Sequence, residues 1–374
     1  MIFTPVKIDW SIRTLILYLL IIVGCYGSVN ILKNKVLIIN TYRKKKVTFG
    51  FLFAAIVLIF FKGFGTTGRD LRAGYYNNFL SAISLSKFYD YTVEFGYRLL
   101  NVIIRNFTIK YSVFIFVIGL LTVLPVIYMI WKYREKIDVS AALLFYTSIF
   151  YFPGFSILRA YLASSMSLLA FNAMVEKKIG KAFIWLCIAI SIHRSMVFLM
   201  VPFFFIVFDK INKKMIVCCL ILFFAFVLIG RGILANYFAN SERYSLYSIE
   251  SVMDIGMEQF IYYIPLFILL YLGKDGESNP VFFRVSFCYL TSGFTFGLLG
   301  YVIPIIGRVQ YAFLSFVIIL PYYIRLIKIR YSKYKYLLDS MVAFYCIARF
   351  LIYIVQYYNL DDLMPYTNIW GWLI

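Results

Sequence analysis

Arginine and carboxylate side chains are concentrated in one polar segment, Gly65 to Asn101, which lies between two long apolar runs. Arg69 and Arg72 are three residues apart, so they would share one face of a helix. An arginine offers a planar fork of donors that matches a phosphate or a carboxylate, and it stays charged in most surroundings. The segment therefore indicates a surface that binds an anionic substrate.

A second pattern is the kind of basic residue found on each side of the apolar runs. The loops that we assign to the cytoplasm are mostly lysine, whereas the opposite face is rich in arginine. Topology alone does not require this difference, and arginines at the outer ends of several spans would suit a diphosphate. For any single arginine, pairing with a lipid headgroup or a nearby acid is the alternative. We predict five arginines as diphosphate ligands: Arg69, Arg72, Arg159, Arg194 and Arg308.

Three residues are candidates for proton transfer. Asp70 and Glu94 are the carboxylates best placed to act as a general base toward a sugar hydroxyl, or to hold an arginine in position. An ion pair with a neighbouring arginine is the structural alternative for both. His193 is the single histidine of the chain and precedes Arg194 at a predicted helix break, which makes it a third candidate base. A hydrogen-bonded core residue is the usual role of a lone histidine in an apolar run and is the alternative for His193. The aromatic candidates for stacking on sugar rings are Tyr75, Tyr76 and Tyr97.

No metal and no cofactor are expected from the sequence. One histidine cannot complete a zinc site, and the acidic residues do not form a cluster suited to a divalent cation. Motifs of serine hydrolases, P-loops and Gly-rich dinucleotide sites are lacking. The six cysteines all lie in apolar runs, where a free thiol behaves as a small hydrophobic group, so they predict no disulfide framework.

A membrane-embedded scaffold must position these candidates. Hydrophobic residues make up 63% of the chain and charged residues 14%, which is more apolar than a soluble core can bury. We therefore predict an all-α, polytopic integral membrane protein, with one transmembrane domain over residues 1–374 and about 12 spans. The net charge of +20 then reports lysine-rich cytoplasmic loops, and no nucleic-acid partner is predicted.

The basic clusters also predict the orientation of the chain. A dense cluster between Lys33 and Lys46 follows the first apolar run, which places the N-terminus outside. Residues 65–110 then form an outer-face loop, and residues 231–258 form a second one. The tail from Asn359 also ends outside. We interpret the first run as a retained span, because no small-residue cleavage site follows it.

We expect short helices within the first outer loop. We also expect a break in the helix within one long apolar stretch. Helix-like spacing in Phe79–Phe88 and Phe95–Ile109 predicts interfacial helices between spans two and three. The stretch Ala182–Phe208 has basic clusters at both ends, so we predict two short helices that meet near His193 and Arg194. The other predicted spans are Trp10–Ile31, Val47–Phe64, Tyr111–Trp131, Val139–Phe152, Ser156–Met174, Met215–Ile229, Phe260–Leu272, Val281–Leu299, Val309–Ile324 and Tyr336–Tyr357.

Four short elements, in this order, resemble the EpsG family and the related Wzy-type O-antigen and exopolysaccharide polymerases. They are GRDLRAGYY, EFGYRLLN, ILRAYLA and SIHRSMVF. They are similar to the family's Arg-x-x-Gly-x-Asp-Tyr, Glu-Pro-Gly-Phe, Ile-Arg-Gln-x-Ala and Phe-His-x-Ser-Ala stretches. The chain departs from this pattern where Asp70 directly follows Arg69, where Phe95 replaces a proline and where Tyr161 replaces a glutamine.

The resemblance implies a GT-C-like membrane glycosyltransferase that polymerises undecaprenyl-diphosphate-linked oligosaccharide repeats on the periplasmic face of the bacterial inner membrane. Donor and acceptor would both be lipid-linked, and membrane lipids and a polysaccharide chain-length regulator are the other expected partners. The implied roles are diphosphate stabilisation by Arg69, Arg159 and Arg308 without a metal, base or arginine positioning by Asp70 or Glu94, and base or acceptor contact by His193.

Three other classes of membrane protein remain as alternatives. A flippase for the same lipid-linked oligosaccharide would also need arginines around a cavity, but no internal repeat typical of many transporters is evident. An O-antigen ligase would use the same donor. A membrane acyltransferase would need a histidine with a carboxylate partner, and no acid lies within one helical turn of His193 in the sequence.

Overall fold

The computed structural model is almost entirely helical in the part of the chain that it describes. The predicted second outer loop, residues 231–258, lies largely outside the described residues. The described residues are 9–32, 35–40, 45–88, 92–207, 213–230, 232–233, 236–237, 240, 258–276, 280–302, 304–371 and 374.

Apolar helices of membrane-spanning character dominate the described chain. Four of them are long and apolar enough to cross a membrane: Ile12–Ile31, Tyr111–Tyr133, Pro280–Tyr301 and Ser332–Tyr357. A fifth span would join Gln310–Ile318 to Pro321–Arg330 across a bend of 40°. The chain is therefore a helical membrane protein, whereas a total of about twelve spans stays a prediction. Shorter apolar helices are Phe49–Phe64, Val139–Tyr151, Ile179–Ile192, Arg194–Val207, Leu220–Ile229 and Glu258–Gly273.

A two-stranded hairpin lies in the first basic loop, where the all-helical prediction included no strand. Val36–Asn40 pairs antiparallel with Lys45–Thr48, with Val36 opposite Thr48. The strands are rich in valine, isoleucine and threonine, and these β-branched side chains favour extended backbone. This local preference explains the strands in a loop whose basic charge had indicated only its side of the membrane.

The helix Leu158–Val175 is the central element of the fold. Almost all of its residues are buried, and small side chains on it allow neighbouring helices to approach closely. Ser164 Oγ, for example, donates to the backbone carbonyl of Tyr311 at 2.8 Å. The helix places Arg159 in its first turn, and its eighteen residues extend about 27 Å to Glu176 at the other end.

The segment before the central helix differs from the single predicted span Val139–Phe152. An α-helix over Val139–Phe145 continues as a π-helix over Tyr146–Tyr151, and Pro153–Ser156 then forms one short helical turn. Ile157 interrupts the helix with φ −97° and ψ 62°, so that the central helix starts in a new direction. This break delivers Arg159 to the interior, away from the membrane lipid.

The predicted break in the stretch Ala182–Phe208 is confirmed. The helix Ile179–Ile192 ends at His193, whose backbone is extended with φ −151° and ψ 120°. A 3₁₀ helix over Arg194–Leu199 follows, and an α-helix resumes over Met200–Val207. At this break the side chain of His193 is partly buried and that of Arg194 is exposed.

The first outer loop contains helices, as predicted, but with different bounds. Short helices cover Arg69–Ala73 and Tyr75–Ser81, and a 3₁₀ turn covers Leu85–Lys87, in place of one helix over Phe79–Phe88. The second predicted helix is confirmed as Phe95–Phe107. Its large apolar side chains at four-residue spacing are exposed, as expected for a helix that lies in the membrane interface. They are Phe95, Leu99, Ile103 and Phe107.

Four of the remaining helices follow the predicted spans closely, but the predicted single span Val309–Ile324 is wrong, because helical turns over Gln310–Ile318 are followed by a bend of 40° and a helix over Pro321–Arg330. At the end of the molecule away from Arg159, Lys328 Nζ lies 2.5 Å from an Asp138 carboxylate oxygen and also pairs with Asp339. Lys132 pairs with Glu176 at the same end of the central helix. These pairs connect five helix ends on the lysine-rich side, three through Lys328 and two through Lys132. The remaining bounds are Lys213–Ile229, Glu258–Gly273, Pro280–Val302, Pro304–Gly307, Gln310–Leu314, Pro321–Arg330 and Lys335–Tyr357.

The C-terminal tail folds back onto the first outer loop. Thr66 N donates to Thr367 O at 2.8 Å, and Thr367 N donates to Thr67 Oγ1 at 2.8 Å. Arg69 N donates to Asp361 O at 3.1 Å. The tail is therefore packed against the first outer loop. The sequence did not predict this packing.

Gly68 lies after the second helix, Phe49–Phe64, at the point where the chain packs against this tail. Its backbone has φ +111°, and a Cβ atom there would lie 2.0 Å from Phe155 O. Its N–H donates to Asp362 O at 3.1 Å. Glycine is required both for the backbone conformation and for the close approach.

We expect Gly68→Ala to lower the thermal unfolding midpoint of the purified protein in detergent, since the new methyl group forces the Phe155 backbone away at a cost of about 1–3 kcal/mol. Gly74→Ala is the matched control, because nothing lies within 4 Å of a Cβ at that position. Equal midpoints for the two variants would contradict the assignment of Gly68 as a packing joint.

Candidate active site

A cavity of about 590 Å³ opens where the first outer loop, the His193 break and the tail meet. It contains most of the residues that the sequence analysis selected, although they come from segments far apart in the chain. The cavity thus joins two carboxylates, a histidine, a tyrosine and four arginines from the sequence prediction: Arg69, Asp70, Tyr75, Glu94, Arg159, His193, Arg194 and Arg308.

Arg159 is the most completely held of the cationic side chains. Its Nε donates to Tyr75 Oη at 2.7 Å, and its Nη1 donates to Glu94 Oε2 at 2.7 Å. The guanidinium also lies over the rings of Tyr75 and Tyr97, 5.5 and 5.7 Å from their centroids. Two rings and two oxygens therefore fix its plane before any substrate binds.

Glu94 connects Arg159 to the helix break. It is 5% exposed, and its second oxygen, Oε1, accepts a hydrogen bond from Arg194 N at 3.3 Å. His193 Nδ1 lies 3.5 Å from the same oxygen. Burial alone would raise the pKa of Glu94, but His193 and Arg159 stabilise the charged form more strongly and lower the pKa to about 2.

Asp70 connects the first outer loop to the start of the central helix. Its Oδ2 accepts from Tyr75 Oη at 3.0 Å and from Leu158 N at 3.2 Å, so it caps one of the free N–H groups of that helix. Burial raises the pKa of Asp70, while the Arg159 charge and the Tyr75 hydrogen bond oppose the shift. A continuous chain of contacts thus leads from Asp70 through Tyr75, Arg159 and Glu94 to His193.

Lys62 is a buried cation near this chain that the sequence analysis did not select. It is 4% exposed, donates to the backbone carbonyl of Gly154 and lies 4.0 Å from the centroid of the Phe155 ring. Its charge interacts with that of Asp70. A lysine inside an otherwise apolar run was the available signal, because an ionised group in a membrane span usually has a buried partner.

Asp361 is the second cavity residue that sequence reasoning missed. Ser156 Oγ donates to its Oδ1 at 3.0 Å, and Tyr353 Oη donates to its Oδ2 at 2.5 Å. Burial raises the pKa of Asp361, although the hydrogen bonds from Tyr353 and Ser156 oppose the shift. The pair of aspartates after the last apolar run was visible in the sequence, but nothing there indicated that the tail returns to the site.

Three selected residues are not among those that line the cavity. Tyr97 is fully buried below Arg159, and Tyr76 packs edge-on against the ring of Tyr111 at 5.1 Å. The side chain of Arg72 lies outside the described part of the structure. Of the three tyrosines predicted to stack on sugars, Tyr75 is the one that faces the cavity.

The cavity is lined by both charged and apolar side chains. The guanidinium of Arg69 forms no hydrogen bond or ion pair with any described residue, so it is available to an anion. Within the described residues, no group of three or more histidines, cysteines or acids is arranged to hold a metal ion. Apolar side chains that line the same cavity include Val197, Phe198, Phe223, Ile306 and Val309. The arrangement suits a ligand with an anionic group joined to a hydrocarbon chain.

We expect Glu94→Gln to lower stability in a pH-dependent way. The folded-state pKa of Glu94 is about 2 against an ordinary 4.5, so the charged form contributes roughly 3 kcal/mol above pH 4.5, and this contribution is lost as the pH falls toward 2. The difference in unfolding midpoint between wild type and variant should be full at pH 7 and shrink below pH 4.5. Glu135→Gln, at an exposed site, should show no difference at either pH.

The chain matches the family model of the EpsG family over residues 46–368. No curated protein and no solved structure matches it. The matched range contains the first outer loop, the central helix, the His193 break and the part of the tail that carries Asp361. Because the match extends over most of the chain, and as the four sequence elements indicated, the protein belongs to the EpsG family, which is Wzy-type polymerase-like.

Proposed function

We propose that the protein is a membrane glycosyltransferase that polymerises undecaprenyl-diphosphate-linked oligosaccharide repeats into O-antigen or a related surface polysaccharide. Family membership supports the coarser function, polymerisation in polysaccharide biosynthesis. The observation that carries the finer proposal is Arg159, a guanidinium held rigidly in a cavity that apolar side chains also line. That combination matches a diphosphate attached to a polyprenyl chain.

The arginines fit the charge that develops during glycosyl transfer. When the bond between the sugar and the diphosphate breaks, its electron pair moves to a phosphate oxygen. Arg69, Arg159 and Arg308 would stabilise this charge, and Arg159 needs no reorganisation because Glu94 and Tyr75 already fix its plane. In this proposal Glu94 positions Arg159, since a carboxylate with a pKa of about 2 is a weak base.

The proposed orientation rests on the opposite charge patterns of the two ends. Lys132 and Lys328 pair with acids at one end of the helices, and the arginine-lined cavity lies at the other. Positive loops favour the cytoplasm. We place the cavity at the periplasmic face of the inner membrane, within a GT-C-like arrangement of about twelve spans. A chain-length regulator would bind the same assembly.

One contact favours a second candidate, a membrane acyltransferase. No acid is near His193 in the sequence, but the fold brings Glu94 Oε1 to 3.5 Å from His193 Nδ1. His193 therefore has a carboxylate neighbour in three dimensions, although no acid lies within one helical turn of it in the sequence. The diphosphate proposal is preferred because Glu94 also pairs with Arg159, and because the family to which the chain belongs is polymerase-like.

The proposal predicts a selective defect for Arg159→Lys. Lysine carries its charge on a single nitrogen without the planar fork, so it cannot reproduce the geometry in which Nε binds Tyr75 and Nη1 binds Glu94 while the rest of the fork faces a phosphate, and we expect polymer to fall about 100-fold or more. The variant is expressed in a strain that lacks the chromosomal gene, and surface glycan is resolved by gel electrophoresis. Glycan with a single repeat should accumulate in place of the ladder.

Arg105→Lys is the matched control, because Arg105 lies on the helix Phe95–Phe107 but does not line the cavity. It should restore the full ladder at equal membrane abundance. A full ladder with Arg159→Lys at wild-type abundance would overturn the assignment. In the deletion strain itself, complete loss of surface glycan would indicate a flippase, polymer retained on the lipid carrier would indicate a ligase, and an unchanged ladder with lost acyl groups would indicate an acyltransferase.

A further inference from the structure

We propose that Asp361, from the C-terminal tail, is the residue that accepts the proton of the attacking sugar hydroxyl. This inference rests on the proposed polymerase function and adds a catalytic residue to it. Asp361 lines the same cavity as Arg159 and Arg308. It was not selected from the sequence, where the tail was expected to end freely outside.

The tail holds Asp361 in a fixed place. Asp361 N donates to Tyr357 O at 2.9 Å, and Asp361 O accepts from Arg69 N at 3.1 Å. One residue further along, Asp362 O accepts from Gly68 N at 3.1 Å. The backbone is thus tied to the last helix on one side and to the arginine-bearing loop on the other, and hydrogen bonds from Ser156 and Tyr353 hold the carboxylate itself.

The partners of Asp361 suit a group that gains and loses a proton. Its two side-chain donors are the hydroxyls of Ser156 and Tyr353. A hydroxyl can turn and accept a hydrogen bond once the carboxyl becomes protonated. The partners of Asp70 and Glu94 include backbone N–H groups and, for Glu94, a guanidinium, which can only donate. Those two carboxylates are therefore suited to remain charged.

The surrounding charges also favour proton uptake by Asp361 over proton uptake by Asp70. Asp70 interacts with the cations Arg159, Arg308 and Lys62. Asp361 interacts with Arg308 and with the negative charge of Asp70. A nearby negative charge favours proton uptake, whereas three cations oppose it. The other titratable groups that face Asp361 are the phenols of Tyr161, Tyr311 and Tyr353.

The proposed step transfers a glycan from the donor diphosphate to the acceptor hydroxyl and a proton from that hydroxyl to Asp361. A lone pair of the acceptor hydroxyl oxygen forms a bond to the anomeric carbon of the donor, and the bond from that carbon to the diphosphate oxygen breaks. The electron pair of the broken bond stays on the diphosphate, which the arginines hold, and the hydroxyl proton moves to the Asp361 carboxylate. The products are the extended lipid-linked glycan and undecaprenyl diphosphate.

The test uses purified full-length protein in proteoliposomes. The substrate is lipid-linked single-repeat oligosaccharide extracted from the deletion strain, and the initial rate of polymer formation is measured from pH 5 to 9. We expect Asp361→Asn to reduce the rate about 100-fold or more at every pH, because the amide cannot accept the proton. Asn keeps the size of the side chain, so the fold should be retained.

Two milder variants separate catalysis from a structural role. Tyr353→Phe and Ser156→Ala each remove a hydrogen bond that stabilises the charged carboxylate, so the pKa of Asp361 rises further. The base is active only when deprotonated, and the acidic limb of the rate profile should therefore move to higher pH, by about one unit. Tyr357→Phe, one turn along the same helix with its hydroxyl on Glu258, should leave the profile unchanged.

Failure of the polymerase proposal and failure of the Asp361 proposal would give different results. If wild-type protein makes no polymer from the lipid-linked repeat, the polymerase proposal itself is wrong. If wild type is active but Asp361→Asn stays within threefold of it, or the limb is unmoved in both Tyr353→Phe and Ser156→Ala, Asp361 is not the base. A limb that moves with Tyr75→Phe would assign the proton to Asp70, and one that disappears only with His193→Asn would assign it to His193.

Discussion

The ion pair between Arg159 and Glu94 is the interaction on which the arrangement of the site depends. A guanidinium in the interior of a membrane protein is costly unless a charge and hydrogen bonds compensate it. Glu94 supplies the charge at 2.7 Å, and Tyr75 supplies the second acceptor. Because Glu94 also contacts Arg194 N and lies beside His193, the same carboxylate fixes the first outer loop, the central helix and the helix break relative to one another.

The tail completes this arrangement from the other side. Its backbone pairs with residues 65–69, and a glycine with positive φ at position 68 allows the two segments to meet. The pairing places Asp361 opposite the chain of contacts that begins at Asp70. The cavity consequently contains carboxylates of two kinds, one held by a cation and suited to stay charged, the other held by hydroxyls and suited to exchange a proton. This division of roles makes the site asymmetric.

Charged residues have different roles at the two ends of the helical body. At the lysine-rich end, Lys328 and Lys132 are paired with acids that join neighbouring helix ends, and their role is structural. At the other end, charged side chains line an open cavity together with apolar ones, among them Val197 and Phe198 from the segment after the helix break. Charged and apolar side chains around one cavity are what an amphiphilic substrate requires, and the break at His193 contributes residues of both kinds.

Composition and residue type in the sequence were sufficient to determine the helical membrane class, the polar segment with its arginines and carboxylates, the break near His193 and the family. These properties depend on local patterns: apolar runs, basic clusters and short motifs. The tertiary structure decided which of these residues meet. It brought Glu94 to His193 across about one hundred positions, buried Tyr97 beneath Arg159 and returned Asp361 to the site. Burial and long-range pairing are determined by how helices and tail pack, and no local pattern records that packing.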